Sequence, residues 1–177
     1  MIDELKSWGT KPTFSGLGFV FIQESNKQFR WNFYCPDLTP VEAPDFHTHR
    51  IKFESQIVRG RLINEVCKWE KSENYQLHKL VETNCIHPHF EPSVAEENIK
   101  IRLDGKYSLP AGAWYISEAD TFHRVVCPEK TITRLHILGK ETKTNLTIMR
   151  KDTPFVCPLQ DFKKPEKECW EIIRTFF

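Results

Sequence analysis

Ile99-Lys100-Ile101-Arg102-Leu103, Asp104-Gly105, Lys106-Tyr107-Ser108-Leu109, Pro110-Ala111-Gly112 and Ala113-Trp114-Tyr115-Ile116-Ser117 follow one another without a gap, and this stretch decides the fold class. Short runs rich in aromatic and β-branched residues, cut by Gly and Pro, read as strands. The spacing predicts strands over 98–103, 106–109 and 113–117. Asp104-Gly105 is predicted to be a hairpin turn, because Gly tolerates the positive φ that the favoured two-residue turns require. The same texture continues outward, with further strands predicted over 28–35, 46–59, 61–70, 75–83, 122–127, 131–138 and 145–150. Phe19-Val20-Phe21-Ile22, entered past Gly16 and Gly18, also has strand character.

Helical spacing is confined to the two ends. Ile2, Leu5 and Trp8 can share one face of a short helix over 1–8, and Lys167 to Arg174 can form a closing helix behind Pro165, a residue acceptable in a first turn. The prolines of His87-Pro88-His89-Phe90-Glu91-Pro92-Ser93 and of 151–165 mark two loops. Many short strands with so little helix imply a β-sandwich or barrel.

At 177 residues the expectation is one domain spanning 1–177, large enough to build its own core. With 40% hydrophobic and 28% charged residues, the composition is that of an ordinary soluble globular chain. A formal net charge of +1 gives no electrostatic footprint for nucleic acid, so none is expected as a partner. Met1 to Lys6 lacks the basic start and apolar run of a secretory signal, and no apolar run of about 18 residues occurs, which predicts a cytoplasmic protein without membrane contact. The six cysteines are scattered with no C-x-x-C pair, and are expected to be reduced.

The residues that carry chemistry begin at His47-Thr48-His49. Side chains two apart on an extended strand point to the same face, so His47 and His49 can present both imidazoles to one ion. A third imidazole from His123 would leave coordination positions open for substrate or oxygen. Taken alone, an H-x-H is more often a pair of surface histidines at the start of a strand. The ordered combination with Glu54, Pro110-Ala111-Gly112 and His123 points to a metal site instead.

His47-Thr48-His49-Arg50-Ile51-Lys52-Phe53-Glu54 with Gly60, answered by Gly105 to Gly112 and by His123, resembles the two motifs of the cupin superfamily. The match covers roughly residues 40–140, with Gly60 one residue early and His123 further behind the P-x-G than usual. This resemblance implies an all-β double-stranded β-helix, or jelly-roll barrel, with short N- and C-terminal helices and a metal at the barrel mouth. It implies His47, His49, Glu54 and His123 as the ligand set, Fe(II) as the first choice of metal, and Zn, Mn or Ni as alternatives. Phe53 and Ser55 behind the H-x-H, with Asp120-Thr121-Phe122-His123-Arg124-Val125 later, are also similar to a branch resembling cysteine dioxygenase, in which three histidines suffice. Cupin-like chains often pair, and Phe176-Phe177 would leave exposed apolar surface unless packed, so a homodimer is expected.

Two placements stay open at this level. Strict alternation from His49 puts Glu54 on the opposite face, so a ligand role needs a bulge or tight bend between 49 and 54. Arg134 and His136 share a face of their strand: inside the barrel Arg134 could clamp a substrate carboxylate and His136 move a proton, whereas outside it both are solvated and Leu135 and Ile137 fill the core. His87 and His89 fall in a Pro-rich loop and are left out of the site, and His78 is isolated. Of Trp31, Tyr34, Trp114 and Tyr115, one or two are expected to line a pocket.

No G-x-S-x-G, no G-x-x-x-x-G-K-[ST] and no G-x-G-x-x-G opening a helix is present. Nucleotide chemistry is therefore not expected, and the cupin resemblance makes an Fe(II) dioxygenase acting on a small polar or thiol-bearing metabolite the leading expectation. A metal-assisted isomerase or lyase, and a non-catalytic cupin that binds a small ligand, are the alternatives.

Overall fold

The computed structural model describes residues 2–7, 10–38, 46–74, 77–83, 91–139, 145–154 and 162–177. A short helix α1 (Ile2–Ser7) precedes strands β1 (Thr13–Ser15), β2 (Phe19–Gln23), β3 (Phe29–Tyr34), β4 (Phe53–Arg59), β5 (Arg61–Lys71) and β6 (His78–Thr83). Strands β7 (Ser93–Pro110), β8 (Trp114–Ser117), β9 (Phe122–Val126), β10 (Thr131–Ile137) and β11 (Asn145–Arg150) follow, and helix α2 (Glu166–Arg174) ends the chain. One sheet has the order β1-β2-β3-β10-β4-β8 and the other β11-β6-β7-β5-β9, with every pairing antiparallel. Two facing antiparallel sheets with a short helix at each end make the jelly-roll that the cupin resemblance implies.

The chain changes sheets at Gly60, between β4 and β5. Its φ of +78° is the left-handed conformation that glycine adopts without a Cβ penalty, and a Cβ here would lie 2.5 Å from the Lys130 carbonyl oxygen. Pro110-Ala111-Gly112 forms the tight link from β7 back to β8, with Ala113 N–H donating to Pro110 O at 3.0 Å and Gly112 at φ +89°. Positive φ at the third position is what a type II turn requires.

Asp104-Gly105 is not a hairpin. Both residues lie inside β7, which pairs with β6 through its first half and with β5 through its second. Opposite them the register passes from Val66↔Gly105 to Cys67↔Leu103, so Asp104 is the extra residue of a β-bulge. Continuous pairing with β5 on both sides of the bulge outweighs the local turn preference. The absent Cβ of Gly105 leaves room for the Tyr107 ring, which a Cβ would meet at 2.6 Å. The predicted strand 46–59 is also shorter: a bend at Arg50 and Ile51 delays β4 to Phe53.

Between the sheets, Phe53, Ile57, Leu62 and Leu135 are buried. A second apolar cluster covers the far face of the first sheet, where Val20, Ile22, Phe33 and Ile132 meet Leu5 of α1 and Cys169, Trp170 and Ile173 of α2. Phe176 packs edge-on against Phe33, with ring centroids 5.6 Å apart, so only Phe177 of the terminal pair is left half-exposed. Truncating a buried phenylalanine of this kind costs about 3–5 kcal/mol, so the C-terminal helix is part of the fold rather than an appendage. Cys35, Cys67, Cys127 and Cys169 are free; Cys85 and Cys157 lie outside the described residues, as do Trp8, His87 and His89. Among the described residues no helix is long and apolar enough to cross a membrane.

Candidate metal centre

The histidine pair sits on a segment held from both sides. His47 N–H donates to His123 O at 2.9 Å and His123 N–H returns to His47 O at 3.0 Å, while Thr48 N–H donates to Leu146 O and Ile148 N–H to Phe46 O, both at 2.8 Å. The segment thereby joins β9 and β11, the two edge strands of the second sheet. Thr48 is buried, its hydroxyl accepting from Leu146 N–H at 2.9 Å. Thr48 is thus turned into the packing beside β11, and alternation turns His47 and His49 together the other way, toward the first sheet.

Strand β9 supplies His123, which is 2% exposed. One ring nitrogen from each of His47, His49 and His123 lies within 4.8 Å of the other two, and the ring centroids are 4.9 to 5.3 Å apart. His49 Nε2 and His123 Nε2 approach to 2.7 Å, a separation at which one nitrogen donates and the other accepts. On the other side of the His123 ring, Nδ1 lies 2.9 Å from Asn64 Oδ1 on β5. An amide oxygen only accepts, so Nδ1 carries the hydrogen and Nε2 keeps the lone pair that faces the cluster. The edge of the Phe53 ring packs on His49 at 4.8 Å and confines it from the first sheet.

Desolvation sets the charge of the cluster. Burial, with His47 adding to it, pushes His123 down to about 3. Burial, followed by the fields of His47, His123 and Arg30, holds His49 well below the usual histidine value. Both imidazoles are therefore neutral at pH 7, the form in which histidine ligates metal. Among the described residues no carboxylate or thiolate joins the set. Three imidazoles converging at this spacing fit an ion that takes nitrogen donors at about 2 Å, such as Fe, Zn or Ni, and leave positions for other ligands.

The cluster opens on a cavity of ≈ 80 Å³ between the sheets, whose opposite wall includes Arg30, Tyr34, Phe53, Tyr115 and Leu135. An apolar cavity of about 150 Å³ takes a benzene-sized guest, so only a small group can enter this one. Burial raises the phenols of Tyr34 and Tyr115 and keeps both neutral.

Glu54, Arg134 and His136 are not brought to the cluster. Phe53 of β4 and Leu135 of β10 face the cavity, so their neighbours Glu54, Arg134 and His136 face the other side of the same sheet. The bend at Arg50 and Ile51 is present, yet it leaves Phe53 rather than Glu54 beside His49. Glu54 Oε1 instead lies 2.9 Å from His136 Nδ1, its cross-strand partner. The Phe29 ring stacks on His136 at 4.4 Å and carries the Arg134 guanidinium 3.9 Å from its centre, and Arg134 reaches Glu24 at 3.6 Å. Of the four aromatics weighed as pocket residues, Tyr34 and Tyr115 line the cavity, Trp31 contacts Arg134 on the far face, and Trp114 is 55% exposed.

Sequence reasoning missed Asn64 and Arg30. Each left a trace, a polar residue in step with inward-facing neighbours: Asn64 two after the buried Leu62, and Arg30 in the series Arg30, Asn32, Tyr34. On β3 the apolar series Phe29, Trp31, Phe33 reads as the inward face. Helix α2 covers that face at Phe33, which frees the polar series to face the cavity.

No protein-family model matches the chain, and no curated protein does. Among the solved structures similar to it are two hydroquinone 1,2-dioxygenases. Hydroquinone 1,2-dioxygenase from Sphingomonas sp. TTNP3 with 4-hydroxybenzoate bound is 11% identical, with a TM-score of 0.36 over 65% of this chain and 62% of that one. Hydroquinone 1,2-dioxygenase PnpCD in complex with Cd2+ and 4-hydroxybenzonitrile is 12% identical, with a TM-score of 0.39 over 79% of this chain and 72% of that one. The chain thus spans less than two thirds of the first. A three-histidine cluster between jelly-roll sheets fits a cupin, and the chemistry rests on this chain's own residues.

Proposed function

We propose that His47, His49 and His123 together hold one divalent transition-metal ion, Fe(II) before Zn, Mn or Ni, and that the protein is a cupin-type dioxygenase for a small polar or thiol-bearing molecule. The observation that supports this most is the convergence of three imidazoles on one small cavity, two of them held neutral by burial. Bound there, Fe(II) would supply a coordination sphere in which oxygen and substrate meet. The protein's part is positional. Asn64 fixes the ring and tautomer of His123, Phe53 confines His49, and the surrounding wall admits only a small group.

Glu54, Arg134 and His136 have no part in this reading. The isomerase or lyase alternative loses its proton-moving base with them, since His136 was the residue to supply it and faces away from the cavity. The cytoplasmic location and homodimeric state expected from the sequence belong to the same proposal. An oxygen electrode tests the reaction class: protein loaded anaerobically with Fe(II) is expected to consume oxygen with one member of a panel of thiols, catechols and small acids, and His123→Ala to abolish the uptake. Turnover that proceeds equally without oxygen would replace the dioxygenase by the isomerase. Stoichiometric metal with no turnover across the panel would favour a binding protein.

A further inference from the structure

The histidine-bearing segment closes the second sheet into a barrel. That sheet runs β11-β6-β7-β5-β9, and His47 pairs antiparallel with His123 of β9 on one side and with Thr147 of β11 on the other. The five strands, with segment 46–49 as a sixth, therefore form a ring. Its interior is one apolar cluster to which every member contributes a buried residue: Phe46, Cys67 of β5, Leu80 of β6, Ile99 of β7, Phe122 of β9 and Ile148 of β11. Thr48 shares the face of Phe46, so alternation sets His47 and His49 on the outer surface of the barrel, where they line the cavity between the sheets.

Closure onto β11 depends on a side chain. Thr48 N–H donates to Leu146 O and Ile148 N–H to Phe46 O, both at 2.8 Å. A regular antiparallel ladder would complete the exchange with Leu146 N–H donating to the Thr48 carbonyl. Here Leu146 N–H donates to the Thr48 hydroxyl, at 2.9 Å. The chain bends at Arg50 and Ile51 toward β4 of the first sheet, and the hydroxyl keeps the segment tied to β11 where its backbone departs. Thr48 is only 4% exposed, so water is poorly placed to take over this bond. Resting on the reading of the histidines as a metal centre, we infer that Thr48 is a positioning residue of that centre and that barrel closure and metal binding support one another. Thr48 lies between two of the ligands and faces away from them, so it acts by fixing the strand that carries both. With His47 and His49 on the closing segment and His123 on β9, a shared ion ties those two strands together. By linkage, whatever closure on β11 adds to metal affinity, metal binding returns to closure.

Competition with a chromophoric chelator for Zn(II) tests the role of Thr48 in wild type, Thr48→Val, Thr48→Ser and Thr83→Val. Thr48→Val keeps the shape and loses the acceptor, and is expected to weaken zinc binding by about tenfold, as loss of a group that orients a ligand does. Thr48→Ser retains the hydroxyl and should stay within about twofold of wild type. Thr83→Val removes the 3.2 Å hydroxyl pair with Thr147 on the other side of β11. It loosens the barrel away from the ligands, and should also bind zinc within about twofold of wild type. Hydrogen exchange tests the linkage in wild type alone: zinc should slow the amides of Leu146 and Ile148, which belong to no ligand, together with those of His47 and His123. Wild-type zinc affinity in Thr48→Val, equal weakening in Thr83→Val, or β11 amides indifferent to zinc would each overturn the inference and leave the metal centre standing. Failure of wild type to bind zinc would strike the histidine reading itself, and the role of Thr48 with it.

Discussion

The two faces of one sheet make the informative contrast in this molecule. On the inner side of β4 and β10, Phe53 and Leu135 wall a cavity with three histidines. On the outer side, one residue along each strand, Glu54 and His136 form a hydrogen-bonded pair. Both places hold histidine with a polar neighbour at hydrogen-bond distance. Inner His49 and His123 are desolvated, meet one another rather than a carboxylate, and are neutral, with the Nε2 lone pair of His123 turned toward the cluster. The outer imidazole is about one-third exposed and already has an acidic partner. What separates a metal centre from a surface ion pair here is a single step of alternation along a strand, because that step decides solvent, charge and neighbours together.

Removing an inner ligand should give the largest effect. His123→Ala is expected to lose nearly all bound metal, whereas Glu54→Ala should keep a full complement, both measured by elemental analysis of protein purified after loading. Full occupancy in His123→Ala would break the contrast at its centre, and metal loss in Glu54→Ala would move the outer carboxylate into the site.

Asn64 sharpens the comparison one layer out. Its amide oxygen holds His123 Nδ1–H at 2.9 Å, so Asn64→Leu frees the ring to rotate or change tautomer without touching a ligand nitrogen. Loss of such an orienting partner typically weakens metal binding by about 10- to 100-fold. A competition titration with a chromophoric chelator measures this directly, with far-ultraviolet circular dichroism to show that the fold is retained. Unchanged affinity would mean that packing alone, chiefly Phe53 and the backbone exchange between His47 and His123, orients the ring.

Much of this arrangement was legible in the sequence and some was not, for identifiable reasons. The all-β class, the two terminal helices and the shared face of His47 and His49 follow from residue type and spacing, because period-two patterns and Gly or Pro breaks are local properties, whereas His123 joined them through the resemblance to the cupin motifs. Asp104-Gly105 misled because a local turn preference yields when a long neighbouring strand, β5, offers pairing on both sides of it, and a bulge then absorbs the extra residue. Arg134 and His136 were assigned two possible faces, and only the sheet's register against β3 and β4 chooses between them. Arg30 stayed hidden because helix α2, more than a hundred residues away, covers part of the apolar face of β3 and leaves the polar one to line the cavity. Local chemistry was readable; which side of a strand is inside depends on partners remote in sequence.

Acid should destabilise the metal-free protein through its inner face. His123 is held at about 3 in the folded chain against its ordinary 6.5, so between those values the unfolded chain binds a proton that the folded chain refuses. Stability is therefore lost as pH falls below 6.5, by up to about 1.4 kcal/mol per pH unit from this one group, with His49 contributing in the same direction. Glu65, kept low first by its hydrogen bond to Lys106, adds a loss of the same sign only below the ordinary carboxylate value of 4.5. Thermal melts from about pH 7.5 to about pH 5 thus isolate the histidines from the carboxylates. His123→Asn should flatten the slope in that window, and a slope as steep as in wild type would place the titrating groups elsewhere.

The outer pair should yield the smallest effect, and its smallness is itself diagnostic. Glu54 and His136 are each about one-third exposed, so water screens their attraction, and pairs of this kind couple by about 0–1 kcal/mol in double-mutant cycles. Glu54→Gln, His136→Gln and the combined variant, compared by chemical denaturation, are expected to show coupling in that range and an unaltered metal content. The stacking of His136 on Phe29 persists in geometry only if the ring does, so His136→Phe should be nearly neutral or slightly stabilising where His136→Ala is not. Arg134→Lys, which keeps the charge but loses the flat contact with Phe29, should likewise change stability slightly and metal content not at all. A drop in metal content with Arg134→Lys would mean that the far face of the sheet communicates with the cavity through Leu135, and the division between the two faces would no longer hold.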